Sequence, residues 1–72
     1  MKVQAEKTFS VPANEFSITP STSGYSLAYS ADGKTFNEHT VVPANENLLC
    51  VGFPKFVIFK LVGNTDEVTV KW

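Results

Sequence analysis

Arginine is absent from these 72 residues, and cysteine, histidine, methionine and tryptophan each occur once. The missing arginine removes the side chain best suited to bidentate contact with phosphate or guanine. The six lysines, at positions 2, 7, 34, 55, 60 and 71, are scattered and offset by seven acidic residues. No clustered basic face results, so nucleic acid is not an expected partner. Cys50 has no second cysteine to pair with, which excludes a disulfide within the chain. One cysteine and one histidine are also too few soft ligands for a structural zinc, and no cofactor is expected. The four glycines are isolated, so there is no glycine-rich phosphate loop. The longest apolar run, "FVIFKLV" at 56–62, is interrupted by Lys60 and is far short of a membrane span. The opening stretch "MKVQAEKTFSV" lacks the continuous apolar segment of a secretory signal.

What is present is apolar and aromatic: 43% hydrophobic residues, with six Phe, two Tyr and one Trp. A chain of this length reads as a single domain, residues 1–72, with one modest core. Such a chain buries only about 60% of the surface that it exposes when unfolded. Disulfides, a metal or neighbouring subunits are the usual supplements. With the first two set aside, an unusually good core or self-association remains, and self-association is the expectation favoured.

Alternation with period two dominates the chain, and helical spacing is hard to find. Val3, Ala5, Phe9 and Val11 fall on one side of a first strand, with Lys7 out of pattern. Phe16 and Ile18 continue until Pro20, which stops the strand. After the loop "STSG", Tyr25, Leu27 and Tyr29 alternate with small residues. "SADGK" then reads as a hairpin turn with Asp32 and Gly33 as its two loop residues, which sets Tyr29 opposite Phe36. The returning strand runs over about 35–42. "NLLCV" at 47–51 is apolar on both faces, as a central strand would be. The loop "GFPK", the strand "FVIFKLV", the turn "GNTD" and a last strand bearing Val68, Val70 and Trp72 complete the chain. About seven short strands between turn signals predict an all-β fold, a small sandwich or barrel.

The pentapeptide "VPANE" occurs at 11–15 and again at 42–46, thirty-one positions later. At the same offset Ile18 matches Leu49, Tyr25 matches Phe56 and Leu27 matches Ile58, suggesting an internal two-fold repeat. Each copy has the makings of a structural corner. Pro12 and Pro43 remove a ladder donor and force the strand to end or leave its sheet. Asn14 and Asn45 tolerate left-handed backbone and bond locally. A calcium site is the competing reading, but one Asn and one Glu per corner are too few for an ion that takes six to eight oxygens. No metal is assigned.

Chemistry has few other carriers. Cys50 and His39 could in principle form a nucleophile and base, yet Cys50 lies in "LLCV", where a small buried thiol is expected. The carboxylates of Glu15, Glu38, Glu46, Asp32 and Asp66 have little volume in which to form a cleft. An enzyme is not expected, and no catalytic residue is assigned. The candidate interface residues are Val57 and Phe59, read as outward apolar positions, with Phe53 on its loop and Trp72 on the last strand. Folding of Phe53 over the end of the sandwich, and of Trp72 into the core, are their alternatives.

The segments "YSADGKTF" at 29–36, the second "VPANE" and "KLVGNTDEVTV" at 60–70 resemble small all-β proteins of bacteriophages and prophages of gut bacteria, of the head-fibre or capsid-decoration type. The resemblance covers roughly the last two-thirds of the chain and rests on turn-and-strand patterns. It implies a non-enzymatic structural protein that assembles as a homo-oligomer, dimer or trimer, on or near a virion, with other virion proteins as further partners. The implied location is the virion or the cytoplasm of the producing cell. No functional residue is transferred. The alternative from another class is a carbohydrate-binding or adhesin-like module, which would need Tyr25 and Tyr29 on an outside face.

Overall fold

Residues that alternate between apolar and polar lie on a pleated surface with one face buried, and strands such as β3 and β8 of this chain do so. The computed structural model describes residues 1–63 and 66–72, and no helix occurs among them. The strands among the described residues are β1 (Lys2–Val3), β2 (Thr8–Phe9), β3 (Glu15–Ile18), β4 (Tyr25–Ser30), β5 (Asn37–Val42), β6 (Leu48–Val51), β7 (Ile58–Val62) and β8 (Val68–Lys71). All pair antiparallel, in two sheets of order β1-β8-β3-β6 (sheet I) and β2-β7-β4-β5 (sheet II). The sheets share one core. Val3, Phe16, Ile18, Cys50, Val68 and Val70 come from sheet I, and Phe9, Tyr25, Leu27, Val42, Phe59 and Leu61 from sheet II. Phe59 is the hub of its aromatic part, stacked on Phe9 at 5.6 Å and edge-on to Phe16 at 5.0 Å.

The repeat is visible in the topology. Exchanging β2 with β5, β3 with β6 and β4 with β7 reads the order of sheet II backwards and leaves β3 beside β6 in sheet I. That is the signature of a two-fold axis between the halves, with β1 and β8 outside it. Contacts follow the same symmetry. Phe56 N–H donates to Val11 O at 3.1 Å, and thirty-one positions away Tyr25 pairs with Val42. Gly52 N–H donates to Asn14 O at 3.1 Å, while Asn45 N–H donates to Ser21 O at 2.7 Å at the equivalent place. Both "VPANE" corners carry the chain from sheet II to sheet I, as a proline that ends a ladder requires. They do so differently. Asn45 adopts a left-handed φ of 64°, whereas the Asn14 side chain donates Nδ2–H to Phe53 O at 2.9 Å.

Several expectations need correction. The first strand is two strands in different sheets, because the chain turns at Ala5–Glu6: Glu6 has φ 64° and Lys7 N–H reaches Gln4 O at 3.3 Å. The misplaced Lys7 marked that break. The hairpin after β4 is longer than two residues, so Tyr29 pairs with Asn37 and not Phe36. Ser30 and Asp32 hold the loop: Ser30 Oγ accepts from Asp32 and Gly33 N–H, and Asp32 Oδ1 accepts from Lys34 and Thr35 N–H. Phe36 instead lies under the Lys60 ammonium, 4.4 Å from its ring centre. The strand at 47–51 is not central, since β6 forms the edge of sheet I. The turn expected at 63–66 falls partly on Asn64 and Thr65, outside the described residues.

The outward reading of Phe59 is also overturned: its side chain is 2% exposed and sits in the core. Phe56, at φ 63°, opens a bulge. From the Val11–Phe56 contact to the Phe9–Phe59 pair, β7 advances three residues while its neighbour advances two. The extra residue reverses the alternation and turns Phe59 inward, so that Leu27 and Phe59, not Leu27 and Ile58, face the core. Val57 is half-buried and packs on the same core.

Candidate functional site

A site must be built from groups that the fold brings together, and the candidate nucleophile and base are not so placed. Cys50 is sealed on the inner face of β6, where burial pushes its thiol pKa up and keeps it protonated. His39 is the extra residue of a bulge in β5, because Leu27 pairs with Thr40 while Ala28 pairs with Glu38. Its ring packs edge-on against Phe53 at 4.9 Å and Tyr29 at 6.4 Å. Asp32 is the one carboxylate with a resolved shift, lowered from 3.8 to about 2 by the N–H groups of Thr35 and Lys34 and by the Ser30 hydroxyl. Those bonds hold it as a loop lock, with the proton off. Asp66 accepts from the Thr22 hydroxyl. Among the described residues, no three His, Cys, Asp or Glu side chains converge as metal ligands would. Pro12 and Pro43 are exposed at the corners, and Asn14 and Asn45 serve the turns described above.

The tyrosines do not form an outer platform. Tyr25 is buried, with no hydrogen-bond partner for its hydroxyl among the described residues, and the same burial raises its pKa. Tyr29 packs on the core, and Phe53 folds over that end of the sandwich against Tyr29 at 5.2 Å and Phe59 at 5.1 Å. Of the four interface candidates, Trp72 is the exposed one, at 58%. It falls outside the core despite continuing the alternation of Val68 and Val70.

Exposed apolar side chains occur on both sheets, with Val41 and Val62 on sheet II and Phe56 before β7, and one group of them lies on the outer face of sheet I. Leu49 is 64% exposed and Val51 58% exposed, both on β6. With Trp72 nearby, Leu49 lines an open groove of about 340 Å³ that also touches Glu15, Phe16, Ser17 and Lys71. The backbone of the same two residues is free. Gly52 N–H bonds Asn14 O, and in an antiparallel ladder the bonded pairs alternate, so Cys50 and Leu48 turn their peptide groups toward β3. Leu49 and Val51 therefore point N–H and C=O away from the sheet, at an edge with no strand beyond it among the described residues. Sequence reasoning missed this pair because a strand apolar on both faces looks central. The signal available was the lack of any charge or proline from Leu48 to Val51. No protein-family model, curated protein or solved structure matches this chain.

Proposed function

We propose that this chain is a non-enzymatic structural module that works by self-association and by docking on other proteins. One observation carries the reading: the outer face of sheet I combines exposed Leu49, Val51 and Trp72 with an unpaired, uncharged strand edge. Exposed apolar residues scattered singly are ordinary, but apolar side chains on the same residues as free peptide groups are a hazard that monomers normally blunt. A small sandwich without disulfides gains stability by covering such an edge. The resemblance to head-fibre and capsid-decoration proteins supports a virion as the place where assembly happens, with a dimer or trimer as the working unit. Size-exclusion chromatography with light scattering tests the reading. An oligomer that Leu49→Lys dissociates is expected, and a monomer at all concentrations overturns it. Neighbouring genes for capsid, portal or tail proteins are expected for the virion assignment, and their absence counts against it.

A further inference from the structure

We propose that the copy-to-copy contact is antiparallel pairing of β6 with β6 of a second copy, about a two-fold axis at Cys50, so that sheet I runs continuously through both molecules. This rests on the self-association reading and adds the partner, the strand and the register. The edge is self-complementary. Leu49 and Val51 each offer a free N–H and C=O, and setting Leu49 opposite the partner's Val51 bonds both pairs, giving about four interchain hydrogen bonds. A two-fold axis places the same strand on both sides, as an isologous dimer requires.

Charge selects the antiparallel direction. No residue from Leu48 to Val51 is charged, while Glu46 precedes the strand and Lys55 follows it, both exposed. Antiparallel pairing sets the end of each strand that Glu46 precedes beside the end of its partner that Lys55 follows. Parallel pairing would set like charge against like.

The register follows from what each alternative leaves uncovered. Centring on Leu49 puts Val51 opposite Asn47. Centring on Val51 requires Phe53 as a strand residue, but Gly52 bends the chain at φ 87° and Phe53 is held by Tyr29, His39 and Phe59. Centring on Cys50 gives Leu49 and Val51 apolar cross-strand neighbours in both copies, the pairing that stabilises sheets. Contact between two strands of four residues is small beside the roughly 1,000 Å² of a stable interface, so the dimer is of the weak, reversible kind.

Cross-linking tests the register and sedimentation tests the association. In a Cys50→Ala background, full-length chains carrying Leu49→Cys and chains carrying Val51→Cys are oxidised with diamide separately and mixed, then run on non-reducing gels. The mixture is expected to give a predominant disulfide-linked heterodimer, with homodimers minor. Predominant Leu49→Cys homodimers overturn the Cys50-centred register. In parallel, Leu49→Lys is expected to raise the dimer Kd at least about tenfold while leaving the circular dichroism spectrum unchanged. A dimer that Leu49→Lys does not weaken, and that forms no cross-link at 49 or 51, overturns edge pairing and leaves self-association standing. A parent chain that sediments only as monomer overturns both.

Discussion

The longer outer strands of the two sheets, β5 in sheet II and β6 in sheet I, meet solvent in different ways. β5 carries Glu38, and His39 forms a bulge that interrupts its ladder with β4. A charge and a bulge are two of the devices by which natural sheets discourage edge-to-edge pairing. β6 has neither, and its outward side chains are Leu49 and Val51. The two strands follow one another in the chain, joined by the second corner, so the difference is not one of overall composition. β5 also exposes Val41, at 63%, so what separates the two edges is the charge and the bulge, and the proposed assembly rests on that difference.

That contrast can be broken at its base, because both edges hang from one core. Phe59→Ala is expected to cost about 3–5 kcal/mol, enough to unfold a domain this small, as read by urea denaturation. Leu49→Lys gives β6 a charged side chain, as Glu38 gives β5 one of the opposite sign. It is expected to abolish association at micromolar concentration while changing monomer stability by no more than about 0.5 kcal/mol. The corner between the two edges is the next lever. Asn45→Ala places a Cβ-bearing residue without a local bonding group at φ 64° and is expected to cost about 1 kcal/mol, whereas Asn45→Gly is expected to cost nothing.

The smallest effect concerns the loop that leads into β5. Asp32 has its pKa lowered in the folded chain from 3.8 to about 2, so its contribution is complete above the unfolded value and is lost as pH falls through the folded one. Asp32→Asn should therefore flatten the fall in melting temperature between those two pH values. An unchanged acid limb would mean that the loop bonds do not hold the carboxylate.

Much of this architecture was legible in the residues. Alternation in "EFSI" marks the inward face correctly, and in "YSLAYS" it finds Tyr25 and Leu27 but misses that Ala28 and Ser30 are buried as well while Tyr29 is half-buried. The paired Val-Pro corners and the thirty-one-residue offset pointed to the two-fold arrangement. Other features left weak traces or none. The bulge at Phe56 reverses the inward set of β7, yet a left-handed phenylalanine has no sequence signature of the kind that glycine or asparagine would provide. The hairpin looked like a two-residue turn because Asp-Gly is its usual mark, but Ser30 and Asp32 capture backbone donors and widen it. Whether "LLCV" is central or an edge depends on which strands pair, a tertiary fact that composition does not carry. The candidate interface therefore moved from Val57, Phe59 and Phe53 to Leu49 and Val51, with Trp72 retained.

Sedimentation equilibrium of the unmodified chain, from low to high micromolar concentration and beside Leu49→Lys, tests the open edge most directly. The parent is expected to pass from its 7.9 kDa monomer mass to twice that value as concentration rises, while the variant stays at the monomer mass. A parent that remains monomeric throughout, or a variant that associates as strongly as the parent, would contradict the assignment of β6 as the assembly edge.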